Sequence, residues 1–366
     1  MPNPLPPALV LDDVELWREL SAADRALGEL AGLGRSMANP DLFIRPFIRR
    51  EAVLSSRIEG TRTSLLDLYR YEAASERDSR VSGPEDEADA REVLNYVRAM
   101  ERGLELSQAG PTGRELMLEV HRVLVGGVRG DSAAPGQFRR EQNWVGPPTS
   151  TVLDATYVPP PPAEMGLALE RLEEYIGTGN SLPPLIRQAL IHYQFEAIHP
   201  FRDGNGRVGR LLVSLLLVRW GLLPAPVLYL SAFLEAHRPD YYARLLGVTQ
   251  RGEWRAWLLF FLQGVASQSA DAVSRARRLH DLQADYHERI VRARGSALQV
   301  RLADLLFDSP VLSVPRASRL LGVPYPTAQR NIEKLARLGI LEQIGDAKYG
   351  KSYWAKELLN ITEPSG

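Results

Sequence analysis

The sequence predicts a mainly α-helical protein with one short β-hairpin and a C-terminal helix-turn-helix followed by a β-wing. Apolar residues recur at three- and four-residue spacing over long stretches, which is typical of amphipathic helices. Before the C-terminal region, only residues 136–162 break this rhythm, and their extended segments around a turn favour a hairpin. Residues 314–321 and 325–338 are helical in pattern, flank the turn Gly322-Val323-Pro324 and precede a glycine-containing extended segment over 342–354.

The predicted helices have recognisable ends. The first covers residues 41–58 and stops at Gly60, as a helix with a glycine cap does. The polar stretch 75–88 contains Ser-Gly-Pro and the acidic cluster Glu85-Asp86-Glu87, and it is interpreted as a loop leading into a helix whose acidic first turn suits the helix dipole. A long helix over 263–294 follows from the absence of glycine between Gly264 and Gly295. The other predicted helices cover residues 64–74, 91–104, 112–124, 163–176, 184–198 and 207–220.

Length and composition exclude several classes of protein. A chain of 366 residues exceeds one ordinary core, so two or three domains are expected. The net charge of -1 gives no bulk electrostatic case for a nucleic-acid coat or a membrane-surface protein. The absence of cysteine excludes disulfides, thiolate catalysis and zinc–thiolate sites, and it fits a cytoplasmic location. We expect no signal peptide, because the first residues lack a basic region and an unbroken apolar run, and no membrane span.

One run of twelve residues, HPFRDGNGRVGR from His199 to Arg210, carries the predicted chemistry. Pro200 ends the preceding helix, so that His199 lies at the rim of a loop. A neutral imidazole, with an ordinary pKa of ~6.5, can accept the proton of a hydroxyl group. Two roles stay open for Asp203: a ligand of Mg²⁺ together with water and phosphate oxygens, or the N-cap of the next helix.

The second half of the run predicts a phosphate site. The segment Gly204-Asn205-Gly206 bends tightly and lets its backbone approach a ligand without obstruction by Cβ atoms. It enters a helix whose first N–H groups are unpaired and whose dipole favours an anion. Arg207 and Arg210 follow three residues apart on one face of this helix and add charge-assisted donors.

The run resembles the signature of the Fic family, HPFx[D/E]GNGRxxR, and meets every fixed position. Residues 194–198, 228–231, 241–242 and 257–261 add to the similarity. Residues 136–139 and 142–146 look like the family's flap. In all, residues of about 40 to 265 are similar to Fic proteins with an N-terminal helical extension.

The resemblance implies a helical core that transfers AMP from ATP to a Ser, Thr or Tyr hydroxyl of a target protein. By position, His199 would be the general base and Asp203 would hold Mg²⁺. The residues that bind the nucleotide phosphates would be Gly204, Asn205, Gly206, Arg207 and Arg210. The flap would bind the target segment as an added β-strand, which demands little of the target's sequence.

A second motif lies upstream of the run. Ser55-Ser56-Arg57-Ile58-Glu59-Gly60 fits the family's inhibitory motif, [S/T]xxxE[G/N]. A glutamate at a helix C-terminus opposes the helix dipole unless its carboxylate pairs with a cation. Through the resemblance this cation is Arg210, with Ser55 and Glu59 as the inhibitory residues. The sequence therefore predicts an enzyme restrained by its own helix.

Four regions follow from these observations. Residues 1–105 form a helical region with the inhibitory helix at about 41–60, and residues 106–265 form the catalytic core with the flap at about 136–160. A linker helix covers 266–295 and leads to residues 296–366, which resemble a winged helix. The exposed residues of its second helix and wing would be Tyr325, Thr327, Gln329, Arg330, Lys334, Lys348 and Lys351.

Rival functions stay open at this point. The same fold would serve to remove AMP or to move another phosphate-linked group, because an anion hole accepts any diphosphate. A member of another class would be a DNA-binding regulator whose core senses nucleotide. The tail carries nine basic and seven acidic side chains, a weak footprint that ranks DNA binding behind protein–protein or intrachain docking and leaves a homodimer open. The complete set of base, metal ligand and arginines favours catalysis.

Overall fold

The computed structural model describes residues 2–8, 13–36, 41–75, 84–110, 113–128, 134–147, 149–178, 181–345 and 350–363. Within them the chain is mainly helical, as predicted, with one small three-stranded sheet. The N-terminal helices are α1 (Val14–Ser36), α2 (Asp41–Ile58), α3 (Leu65–Ser75), α4 (Pro84–Ala109) and α5 (Arg114–Val125). The central helices are α6 (Pro162–Gly177), α7 (Pro184–Ile198), α8 (Asn205–Arg219), α9 (Ser231–Ala236), α10 (Arg238–Arg251) and α11 (Trp254–Arg292). The C-terminal elements are α12 (Ala297–Asp308), β1 (Val311–Ser313), α13 (Val314–Leu321), α14 (Tyr325–Arg337), β2 (Glu342–Ile344), β3 (Ser352–Trp354) and α15 (Lys356–Thr362).

Several helical stretches differ from the prediction. Helices α9, α10, α12 and α15 were not among the predicted helices. Helix α1 was not predicted, although its apolar residues are buried at helical spacing: Leu16, Leu20, Ala23, Leu27, Leu30 and Ala31. Its main partner is α11, so its stability depends on a helix far away in the chain. Helix α4 begins at Pro84, earlier than the predicted start near residue 91, and the acidic cluster Glu85-Asp86-Glu87 lies in its first turn, as predicted. Proline suits this position, since its fixed φ fits the first helical turn.

Helix α11 is one continuous helix of 39 residues, about 58 Å long. It begins at Trp254, within the region predicted as catalytic core, because Gly252 ends α10 in a left-handed conformation (φ 69°). Helix α11 also contacts other helices along most of its length. It packs against α1, α7, α10, α12 and α15, and its buried face extends to Ile290. Among the described residues, no helix combines the length and the apolarity needed to cross a bilayer.

The predicted hairpin over 136–162 is reduced to a single antiparallel bridge between Val145 and Tyr157. The pairing expected between residues 137–140 and 143–146 does not form, because the N–H of Arg139 donates instead to the carbonyl of Pro200 at 2.9 Å. The proline run that ends the segment acts as a structural stop. Pro159 and Pro160 are buried, and Pro162 occupies the first turn of α6. The flap is therefore anchored to the loop after α7 as well as to itself.

Elements α12 to α15 form a C-terminal unit around the sheet of order β1-β3-β2. Tyr353 on the central strand pairs with Leu312 on one side and Gln343 on the other, both antiparallel. Three residues of α14 are fully buried as predicted, namely Ala328, Ile332 and Leu335. Lys348 lies outside the described residues. The interpretation of this unit as a winged helix stays a prediction.

The C-terminal unit packs directly on the N-terminal helices. Helix α12 lies on α2, α15 lies on α11 and α2, and β1 lies on α3. An exposed ion pair joins Arg45 of α2 to Asp308 at 3.1 Å. Deeper in the interface, Asp271 of α11 accepts from Arg275 at 2.8 Å and lies 3.4 Å from Arg50 of α2. Arg275 also donates to the carbonyls of Ile361 and Glu363.

Replacing Asp271 with asparagine is expected to lower the free energy of unfolding. Arg50 and Arg275 are both buried and share the carboxylate of Asp271. The neutral asparagine would therefore leave two buried cations close together without a counter-charge. Because Asp271 itself is partly exposed, we expect a loss of roughly 2 kcal/mol rather than the full effect of a buried pair. Urea unfolding measures it. Asp281→Asn, an exposed change on the same helix, is the control, and equal losses would contradict the explanation.

Candidate active site

The candidate active site starts where α7 ends. Pro200 cannot continue the helix, and His199 takes a left-handed conformation (φ 50°, ψ 61°) rather than the extended one expected before proline. Such a conformation is strained for a residue with a side chain, so its surroundings must hold it. The N–H of His199 donates to Phe195 O at 3.0 Å, and Arg139 Nε donates to His199 O at 3.0 Å.

The imidazole of His199 lies at the wall of a cavity. Nδ1 is 3.3 Å from the carbonyl of Glu196. Because a carbonyl only accepts, this contact assigns the proton to Nδ1 and leaves Nε2 as the basic nitrogen. Burial lowers the pKa of His199 to about 4, although the contact with the Glu196 carbonyl acts in the opposite direction. The ring is therefore neutral at physiological pH.

The loop after His199 is tied to the start of α8. The amide side chain of Asn205 accepts from Phe201 N and donates to Phe201 O, both at 2.8 Å. Asn205 therefore contributes its backbone to the predicted anion hole, since its side chain is already used. Gly204 is the N-cap (φ 79°), and no side chain caps α8. The first N–H groups of α8 are left to a ligand, as an anion site requires.

Three residues that the sequence analysis did not single out hold this loop. His121 is fully buried and stacks on Phe201 with ring centroids 3.8 Å apart. Its Nδ1 accepts from Gly136 N at 3.0 Å, so Nε2 carries the proton and contacts Asp203 O at 3.1 Å. Asn143 donates to Phe201 O at 2.9 Å, and Arg139 contacts the carbonyl of His199. Arg139 and Asn143 belong to the segments that resemble the family's flap, although no role was assigned to them, and His121 carries no motif.

Asp203 lies on the cavity wall with about half of its side chain exposed. One carboxylate oxygen accepts from Gly204 N at 2.6 Å, and the other is 3.6 Å from Arg207. The N-cap alternative is thus wrong, because Gly204 occupies that position. Among the described residues, no group of three or more His, Cys, Asp or Glu side chains could hold a metal ion. Any cation here would take one carboxylate from the protein and its other ligands from phosphate and water.

The two arginines of α8 have different surroundings. Arg207 is buried, lies 3.2 Å from Glu92 and is absent from the described cavity wall. Arg210 is buried but lines the cavity. Its Nη2 donates to Glu59 Oε1 at 2.6 Å and to Ser55 O at 3.0 Å, and its Nε donates to Ser55 Oγ at 2.8 Å. Arg210 is thus held by Ser55 and Glu59 of the upstream motif.

Glu59 reaches Arg210 from a turn just beyond the end of α2. Gly60 follows it with a φ of 103°, a conformation that residues with side chains rarely adopt. On the opposite side, a Cβ at Gly206 would lie only 2.4 Å from Glu59 Oε1. Burial acts to raise the pKa of Glu59, but the charge and hydrogen bond of Arg210 hold that pKa below its usual value. Burial likewise opposes the charge of Arg210, and Glu59 nevertheless raises its pKa.

The cavity has a volume of about 620 Å³, within the range of small-molecule sites. Beyond the predicted residues, aromatic and apolar side chains of the flap, α7 and α10 form its wall, among them Trp144, Tyr157, Tyr193, Tyr241, Tyr242 and Leu245. Glu196 also lines it, and burial raises the pKa of its carboxyl to about 7. Within the described chain, Glu196 Oε1 is buried without a hydrogen-bond partner.

Comparison with protein families agrees with this geometry. The Fic/DOC family N-terminal model matches residues 17–105, and the Fic/DOC family model matches residues 111–217. Together these stretches cover more than half of the chain and include the run from His199 to Arg210. The chain belongs to the Fic/DOC family. The first of the two matched regions contains the inhibitory motif around Glu59.

Curated relatives of this Fic/DOC chain are named protein adenylyltransferase Fic. The protein from Drosophila grimshawi is 36% identical over 146 residues, and the one from Culex quinquefasciatus is 34% identical over 146 residues. Each match covers 39% of this chain and 26% of the relative. The chain therefore spans about a quarter of the length of these relatives.

Solved structures show the same Fic fold. A Fic family protein from Desulfovibrio desulfuricans G20 has a TM-score of 0.60 at 20% identity and covers 94% of this chain and 96% of its own. A Fic domain containing signaling protein from Bacteroides thetaiotaomicron VPI-5482 has a TM-score of 0.55 at 18% identity, covering 70% of this chain and 96% of its own. Fic-1 from C. elegans has a TM-score of 0.52 at 21% identity, and the match covers 72% of this chain and 73% of Fic-1. At these identities the likeness concerns the fold alone.

Proposed function

We propose that this chain is a protein adenylyltransferase that transfers AMP from ATP to a Ser, Thr or Tyr hydroxyl of a target protein, and that Glu59 restrains it. One observation carries the proposal. His199, the uncapped start of α8 and Arg210 all line one cavity, and Glu59 binds the guanidinium of Arg210. The names of the curated relatives support the same reaction class.

In the proposed reaction the hydroxyl oxygen of the target attacks the α-phosphorus of ATP. The new bond joins this oxygen to phosphorus, the bond between phosphorus and the bridging oxygen breaks, and pyrophosphate leaves. His199 Nε2 takes the hydroxyl proton. Its neutral ring and its Nδ1 contact with Glu196 O suit this role.

The phosphates would bind at the start of α8. Its free N–H groups and helix dipole stabilise the negative charge that builds up on the transferred phosphate. Arg210 would bind the terminal phosphate once Glu59 leaves, because its guanidinium already points into the cavity. Arg207, held by Glu92, would add positive charge from behind the loop.

Mg²⁺ fits the residues present at this site. Asp203 offers a half-exposed carboxylate on the cavity wall, and a hard cation that keeps several water and phosphate ligands needs little more from the protein. Bound Mg²⁺ would neutralise charge on the phosphates of ATP. Gly204 N donates a hydrogen bond to one carboxylate oxygen of Asp203, which restricts the orientation of this carboxylate.

The target segment would bind along the flap as an added strand. Val145 and Tyr157 form one bridge, and exposed Trp144 adjoins it at the cavity mouth. Backbone pairing of this kind fixes the direction of the target segment while leaving its sequence largely free. The acceptor hydroxyl would thereby lie beside His199.

Labelled ATP tests the transferred group directly. We expect the full chain with Glu59→Gly, incubated with cell lysate and Mg²⁺, to incorporate label from the α-phosphate of ATP and none from the γ-phosphate. Mass spectrometry of the products should find AMP on a hydroxyl side chain. Transfer of the γ-phosphate, of another phosphate-linked group, or release of AMP from modified proteins would each contradict the proposal.

A further inference from the structure

The C-terminal unit carries a surface that the proposed reaction does not use. Protein docking and DNA binding were both open for this unit from the sequence. The structure shows that docking within the chain uses α12, α15 and β1, which pack on α2, α3 and α11. Helix α14 packs on α12 and α13 through its buried residues, and its opposite face is exposed.

Positive charge is concentrated on the helix-turn-helix. Residues 313–337 carry five basic side chains and one acidic side chain, a net charge of +4 in a chain whose formal net charge is -1. Arg330, Lys334 and Arg337 follow at spacings of four and three, so they share one side of α14. Over residues 296–366 the net charge is only +2, because most of the acidic side chains of the tail lie outside residues 313–337.

These cations differ from those that join the unit to the rest of the chain. Arg45 of α2 lies 3.1 Å from Asp308, and Arg289 of α11 lies 3.0 Å from Glu357, both across the interface. Arg330 and Arg337 instead contact backbone carbonyls of their own helix, and within the described chain neither they nor Lys334 forms an ion pair. A partner that supplies several negative charges would complement this surface.

We infer that the exposed face of α14 binds duplex DNA in the major groove. A helix of 13 residues is about 20 Å long, and the major groove of B-DNA is wide enough to admit one. Tyr325 and Gln329 at the N-terminal half are exposed and suited to base edges, and the cations that follow are suited to phosphates. The deep, narrow major groove of A-form RNA excludes such a helix.

Fluorescence anisotropy of the full chain with a labelled mixed-sequence duplex tests the inference without ATP. We expect binding that weakens steeply with salt. Arg330→Ala/Lys334→Ala should weaken binding about tenfold or more at fixed salt and reduce the slope of log affinity against log salt by about 1.8, as the loss of two phosphate contacts requires. Both side chains are exposed, so the fold should be unaffected.

Arg171→Ala/Arg278→Ala is the matched control, because both arginines are exposed on helices outside the C-terminal unit. It should bind the duplex like the unaltered chain. Equal losses in both double variants, or binding without salt dependence, would overturn the inference. So would equal competition by polyglutamate or by an RNA duplex, since these would indicate an acidic protein or RNA as the partner. None of these outcomes depends on adenylyl transfer.

Discussion

Glu59→Gly is expected to raise AMP transfer, including self-modification, by roughly tenfold to a hundredfold. A hydrogen bond to a charged partner contributes about 1.5–3 kcal/mol, and the bond from Arg210 Nη2 to Glu59 Oε1 stabilises the inhibited arrangement by that order. Glycine removes the carboxylate, so Arg210 becomes available to the terminal phosphate. The initial rate of labelling from α-labelled ATP measures the gain.

Two further variants separate this explanation from general loosening of the protein. Glu59→Gln keeps the size of the side chain without its charge and should give a smaller gain. Glu59→Gly/Arg210→Ala should lose the gain, because the freed guanidinium is what the phosphate needs. Equal or lower labelling by Glu59→Gly than by the unaltered chain would contradict autoinhibition.

His199→Ala is expected to abolish transfer, with a loss of about 10²- to 10⁴-fold on the Glu59→Gly background, the range for removal of a general base. The reason is geometric: Nε2 is the basic nitrogen at the cavity wall, and alanine leaves no proton acceptor in its place. His280→Ala, which changes an exposed histidine of α11, is the control and should keep full activity. Retention of more than a small part of the labelling by His199→Ala would exclude it as the base.

The same base fixes the expected pH dependence. Burial lowers the pKa of His199 to about 4, so the ring loses its accepting form only as the pH falls towards that value. Transfer should therefore stay level from about pH 8 to below the ordinary histidine pKa of ~6.5 and decline only as the pH approaches about 4. Labelling rates of the Glu59→Gly variant at saturating ATP measure this profile. A midpoint of the acidic decline at or above pH 7 would point to another group.

The local parts of the site were accessible from the sequence because local rules govern them. Pro184 begins α7, Pro200 prevents its continuation, and Gly204 starts α8, so both helices were predicted nearly to their observed ends. The catalytic run is contiguous and needs no distant contact to be recognised. The pairing of Glu59 with Arg210 was reachable only through the family resemblance, since 151 positions separate the two residues.

Other features depend on partners that the local sequence does not specify. Helix α1 is stabilised by α11, and one ion pair between them joins Glu15 to Arg255 across 240 positions. The flap pairs differently from the prediction because the backbone N–H of Arg139 donates to Pro200 O in the loop after α7. Positions such as His121 carry no motif, and their role appears only when two loops meet.

By itself, the sequence determined the helical class, the family resemblance and most of the polar residues that line the cavity, because periodicity, caps and a contiguous motif are properties of neighbouring residues. Only the tertiary structure decided that the side chain of Asn205 hydrogen-bonds the backbone of Phe201 and that Arg207 pairs with Glu92. It also decided which faces of the C-terminal unit are covered and that α14 is exposed. These outcomes depend on hydrogen bonds and packing between distant segments, and local propensity does not encode them.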